Sequence, residues 1–136
     1  LCLYGNDISS SVSPIEAGLT WSIPKERIKN GGFIGHESIK KDLENGVERK
    51  LVGIKPLGKL PAREGTQIFD KNEKTIGEIT SGGYSPSLQT PIAMGYINSD
   101  ILKSECEVLL NVRGNLIPAE ITSLPFVEHK YFRGNK

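Results

Sequence analysis

The run Thr80-Ser81-Gly82-Gly83-Tyr84-Ser85-Pro86-Ser87-Leu88, followed by Pro91-Ile92-Ala93-Met94-Gly95-Tyr96-Ile97, sets a polar, glycine- and proline-rich turn between two apolar, strand-like stretches. Gly82 and Gly83 permit positive φ or close backbone approach, and Pro86 holds Ser85 extended, so the turn reads as ordered rather than as a flexible linker. The same texture continues on both sides. Glu48 to Ile54, Thr66 to Phe69, Thr75 to Thr80, Ile92 to Ile97, Glu105 to Val112 and Leu116 to Leu124 are six strand candidates, punctuated by Gly, Pro, Asn and Asp. Asp70-Lys71-Asn72-Glu73-Lys74 and Arg113-Gly114-Asn115 read as hairpin loops. Val108, Leu110 and Val112 alternate with Leu109, Asn111 and Arg113, so that strand has one apolar face and one wetter one. Six short antiparallel strands predict a small barrel or sandwich, because closing or packing the sheet hides its edges.

Ahead of this β region the pattern is different. Ser13 is a candidate N-cap and Pro14 fits a first helical position, which predicts a helical turn over Pro14 to Gly18. Leu19 to Ile23 reads as a short strand stopped by Pro24. From His36 to Glu44, Ile39 and Leu43 lie four apart on one helical face, and Asn45-Gly46 supplies the stop. The texture changes near Asn45 to Glu48, which sets a boundary between residues 1–46 and 47–136.

A net charge of +1, from 17 basic and 16 acidic residues, gives no long-range field for nucleic acid or an anionic membrane, so partner choice is local. No apolar run approaches the roughly 18 residues of a membrane helix, and no basic segment precedes an apolar one at the start of the chain. Cys2 and Cys106 are far apart and belong to no close metal-type pair, so both read as free thiols of a reducing compartment.

Few residues suggest chemistry on their own. Gly31-Gly32-Phe33-Ile34-Gly35 has neither dinucleotide nor P-loop spacing and reads as the turn into the following helix. Ser85 lacks the flanking glycines of a nucleophile elbow and reads as a turn serine. His36 and His129 have no ligand set around them, so no metal site is assigned. Asp7, beside Tyr4 and Asn6, reads as an Asx-turn residue.

Tyr4-Gly5-Asn6-Asp7-Ile8, Ser13-Pro14-Ile15-Glu16-Ala17-Gly18-Leu19-Thr20-Trp21, Gly32-Phe33-Ile34-Gly35, Arg49-Lys50-Leu51-Val52-Gly53, Pro61-Ala62-Arg63 and Pro125-Phe126-Val127 occur in order around the Thr80 to Ile97 stretch. Together they resemble the C-terminal part of the T-protein family of the glycine cleavage system, which are aminomethyltransferases. The resemblance covers nearly all the chain. It implies a mainly β fold: a six-stranded antiparallel Greek-key barrel over 47–136, preceded by a small α/β remnant, the tail of a folate-binding region, over 1–46. It also implies a reaction in which an aminomethyl group on the lipoyl arm of the carrier H-protein gives its one-carbon unit to tetrahydrofolate, releasing ammonia.

On this resemblance Arg27, reached without a gap between Trp21 and Phe33, matches an arginine tied to substrate or folate binding, and its guanidinium fork suits a carboxylate. Tyr131, five residues beyond Phe126, matches a substrate-binding tyrosine, although Glu128-His129-Lys130 departs from the family's usual stretch. Arg63 suits domain packing as well as ligand contact. The family's catalytic aspartate and a Leu-Glu-Ala-Gly segment with a substrate-contacting glutamate belong upstream, so the chain reads as a fragment. No catalytic residue is assigned within it, and the isolated chain is expected to be inactive. The location implied is cytoplasmic for a bacterial source and the mitochondrial matrix for a eukaryotic one. Alternatives are a related folate-dependent demethylase, dehydrogenase or tRNA-modification protein, or a non-catalytic module that docks the carrier.

Overall fold

The computed structural model describes residues 2–104, 106–132 and 134. Residues 49–122 form six strands: β1 Arg49–Pro56, β2 Gln67–Phe69, β3 Thr75–Ser85, β4 Thr90–Asn98, β5 Glu107–Val112 and β6 Asn115–Thr122. They close into a barrel in the order β1-β4-β3-β2-β5-β6, with every neighbouring pair antiparallel. Strands β2, β3 and β4 follow one another as hairpins, and β1 returns to lie beside β4, which is Greek-key topology. Closure leaves no unpaired edge strand.

The β5–β6 hairpin is the alternation read from the sequence. Val108, Leu110 and Val112 are buried, while Asn111 and Arg113 face water. Arg113 and Gly114 both take positive φ, 54° and 83°, as a two-residue turn matched to the strand twist requires. At the β2–β3 link, Asp70 Oδ1 accepts the Asn72 and Lys74 N–H groups, both at 2.9 Å, the Asx geometry that fastens this loop. The core is aliphatic: Ile54, Ile68, Ile79, Ile97 and Leu110 are completely buried. Each contributes on the order of 1.5–3 kcal/mol by leaving water.

Strand β3 departs from expectation. Thr80 to Ser85 continue the strand opposite Thr90 to Met94, and the turn occupies only the four residues 86–89. The glycines serve packing here. A Cβ on Gly82 would collide with the backbone carbonyl of Ala62, and one on Gly77 with that of Tyr96, so these positions need glycine inside a strand. Ser85 is a turn serine, its Oγ accepting the Leu88 N–H at 3.3 Å.

The preceding segment is helical, with an isolated Tyr4–Ile8 bridge as its only β feature among the described residues. The strand expected over Leu19 to Ile23 is instead a 3-10 turn, Thr20–Ser22. Its backbone groups close locally, Ser22 N–H to Leu19 O at 2.9 Å and Ile23 N–H to Thr20 O at 3.1 Å, and the Ser22 hydroxyl donates to Leu19 O at 2.7 Å. Helix α1 spans Lys25–Asn30 and α2 spans His36–Asn45, ended by Gly46 at φ 81°. Of the two α2 residues read as one apolar face, Ile39 is buried and Leu43 is 40% exposed. The Glu105 start expected for the fifth strand lies outside the described residues.

Candidate functional site

The first residues and the barrel meet at a polar junction. In β3 the register slips between Ile79 and Ser81, so Thr80 is an extra residue. A regular strand would send Thr80 and Ser81 to opposite faces. The bulge lets both hydroxyls donate to Asp7 Oδ1, each at 2.7 Å, while Oδ2 accepts the Leu3 N–H at 3.0 Å. The Tyr96 hydroxyl donates to the Asp7 carbonyl at 2.9 Å. Asp7 is 3% exposed, and its side-chain oxygens accept three hydrogen bonds with no salt-bridge partner among the described residues.

A second link runs beside it. Ser13 and Glu16 form a capping box: Ser13 Oγ accepts the Glu16 N–H at 3.2 Å, and Glu16 Oε2 accepts the Ser13 N–H at 2.8 Å. The other oxygen of Glu16 accepts from Arg49 Nε at 2.9 Å, and the Arg49 guanidinium lies 5.1 Å from the centroid of the Tyr96 ring. Burial, followed by the negative charges that Cys2 and Glu16 can carry, pushes the Tyr96 phenol up to about 12; Arg49 pulls the other way and Asp7 adds a smaller push. Burial and Asp7 likewise raise the Cys2 thiol. The residues proposed as an Asx turn and an N-cap therefore fasten the helical segment to the barrel.

Arg27 lies in α1, exposed, and its guanidinium has no hydrogen bond or ion pair to another described residue. The helix itself is held. His36 Nε2 bonds the Ile28 carbonyl at 3.0 Å, Phe33 meets the His36 ring edge-on at 5.4 Å, and Gly31 leaves the space the imidazole fills. His36 is thus a packing residue at the start of α2. Tyr131 is 64% exposed and leans on His129, ring centroids 4.9 Å apart. Its tail crosses β1, where Gly53 makes room for Phe126 and Leu124. No hydrogen bond or ring contact joins Arg27 to Tyr131 among the described residues, and neither lines the cleft of about 640 Å³ between the segment around Ser11 and α2.

Arg63 is positioned by the barrel: its Nη1 donates to the Gly82 carbonyl at 3.1 Å, and its backbone N–H to Thr66 Oγ1 at 3.2 Å. No group of three or more His, Cys, Asp or Glu side chains is arranged to hold a metal among the described residues. The sequence reading missed the Asp7–Thr80–Ser81 contact, because its partners are more than seventy residues apart; the one local sign was adjacent hydroxyl residues ahead of two glycines.

These features define a Greek-key barrel domain with a helical segment clamped to one side. Residues 49–128 match the family described as glycine cleavage T-protein C-terminal barrel domain, and the chain belongs to that family. An aminomethyltransferase, named mitochondrial, from Solanum tuberosum is 45% identical over 98% of this chain and 32% of its own length. A probable mitochondrial aminomethyltransferase from Schizosaccharomyces pombe is 41% identical over 98% of this chain and 34% of its own length. The crystal structure of glycine cleavage system aminomethyltransferase T from Bartonella henselae superposes with a TM-score of 0.91 at 42% identity, covering 98% of this chain and 37% of that one. The chain spans about a third of the length of the curated relatives it matches.

Proposed function

We propose that the chain is the C-terminal part of a tetrahydrofolate-dependent aminomethyltransferase of the glycine cleavage system. The observation that carries this reading is similarity above 40% over 98% of the chain, with the helical segment included as well as the barrel. In the complete protein, the one-carbon unit would pass from the aminomethyl-lipoyl arm of the carrier H-protein to tetrahydrofolate, with release of ammonia. Tetrahydrofolate supplies the amine nitrogens that accept the carbon unit.

Two donors in the chain fit an anionic or polar ligand. The Arg27 guanidinium is exposed without a protein acceptor among the described residues, on a helix fixed through His36, and so offers a pre-positioned fork for a folate carboxylate. The Tyr131 hydroxyl is similarly without a described partner and would contact substrate. Asp7, the buried carboxylate, is committed to Leu3, Thr80 and Ser81, which argues against its use as a catalytic base and supports an upstream catalytic carboxylate. The isolated chain is proposed to be inactive. Residues 1–46 would belong with the folate-binding region and 47–136 form the barrel domain. The compartment would be the mitochondrial matrix in a eukaryote, as the names of the plant and yeast relatives suggest, and the cytoplasm in a bacterium.

The test is tetrahydrofolate affinity in the complete protein. Arg27→Ala should weaken it by about tenfold or more, the worth of a charge-assisted hydrogen bond, with thermal stability unchanged. Unchanged affinity would return Arg27 to a solvated surface charge.

A further inference from the structure

A second concavity, on the barrel itself, has no part in that reading. It encloses about 170 Å³ and is lined by Leu60, Pro61, Arg63, Thr66, Val112 and Arg113. Two chain segments far apart in sequence bring an arginine each, one from the β1–β2 link and one from the tight β5–β6 turn, and no lining residue is acidic. Neither guanidinium has a carboxylate partner among the described residues. Two cations at one concavity repel each other unless an anion lies between them.

The donors are partly pre-arranged. Arg63 is fixed by its bond to the Gly82 carbonyl, which leaves further N–H groups of the fork free, and a held side chain loses less entropy on binding. Thr66 Oγ1 accepts the Arg63 N–H and so keeps its own proton to donate. Pro61 and the buried Val112 supply apolar walls that strengthen charge interactions near them. The volume suits one small anionic group rather than a whole cofactor.

We infer that this concavity binds an oxyanion group, a carboxylate or a phosphate carried by a ligand, between Arg63 and Arg113 with Thr66 as a neutral donor. The site is separate from the folate reading, since Arg27 does not line it.

The experiment is thermal unfolding of the complete protein titrated with sodium phosphate, sodium succinate or sodium chloride at matched ionic strength. A saturable rise in Tm above chloride is expected, with phosphate alone marking a phosphate-bearing ligand and succinate, alone or with phosphate, a carboxylate-bearing one. Arg113→Asn deletes a charge while placing at φ 54° a residue that tolerates it, so the turn survives even if Arg63→Gln fails to fold. Arg113→Asn should raise the half-saturating anion concentration about tenfold, and Arg27→Ala should leave it unchanged. No rise above chloride, a rise that persists unaltered in Arg113→Asn, or one abolished by Arg27→Ala would overturn the assignment.

Discussion

Thr80 donates its hydroxyl to the Asp7 carboxylate at 2.7 Å, a bond that joins residues 73 positions apart and exists because β3 carries a bulge at that point. With the parallel bond from Ser81, it fixes the Tyr4–Ile8 turn to the barrel wall. The segment between that turn and β1 is tied to the barrel by this junction, by the Glu16–Arg49 pair, and by the Leu51 N–H, which donates to the Glu16 carbonyl at 2.9 Å.

Asp7→Ala should therefore destabilise the protein by about 2–4 kcal/mol, since it removes an acceptor shared by three donors. The Ser81 hydroxyl and the Leu3 N–H are left without that partner in a partly buried setting, while the Thr80 hydroxyl keeps the Met94 carbonyl at 3.2 Å. Urea unfolding checks the value. A loss below about 0.5 kcal/mol, the scatter of ordinary surface substitutions, would show that the junction is dispensable.

Gly82 and Gly83 should separate sharply although they are neighbours. Gly82→Ala forces a Cβ into the Ala62 carbonyl, which backbone cannot easily yield, and a cost of about 1–3 kcal/mol is expected. Gly83→Ala meets only the tip of Arg63 at 3.8 Å and should stay within about 0.5 kcal/mol of the parent. Equal effects in thermal unfolding would contradict the close-approach explanation.

That contrast also marks what the sequence could reveal. Strand number, the Arg113-Gly114 turn and the Gly46 stop follow from local rules, alternation and turn chemistry, and were legible, whereas those rules left barrel and sandwich open and closure was expected only through the family resemblance. The continuation of β3 through Gly82 and Gly83 was not legible, because local propensity reads such glycines as turn, and the requirement for glycine at 82 comes from a carbonyl twenty residues away. Leu19 to Ile23 looked extended by composition, yet its backbone bonds are satisfied within a single 3-10 turn. At the site, Arg27 and Tyr131 were named only through family resemblance, since an exposed arginine and an exposed tail tyrosine carry no local signature of binding.

Tyr96 gives a pH signature. Its folded pKa, about 12, lies above the ordinary value near 10, so both states hold the proton below pH 10 and the phenol's contribution is complete there. Between about pH 10 and 12 the unfolded chain releases its proton first, and stability falls as pH rises. Tyr96→Phe should flatten that part of the stability profile while costing about 1 kcal/mol at neutral pH for the lost bond to the Asp7 carbonyl. An alkaline slope identical in the two proteins would remove Tyr96 as its source.

The most direct measurement is formation of methylenetetrahydrofolate from aminomethylated carrier H-protein and tetrahydrofolate, compared between residues 1–136 alone and the same residues joined to the upstream portion of the protein. Turnover is expected in the joined protein, with loss of tetrahydrofolate affinity there on Arg27→Ala and no product from residues 1–136 alone. Robust turnover by residues 1–136 would place the catalytic carboxylate inside this chain, and absence of turnover in the joined, folded protein would contradict the aminomethyltransferase reading itself.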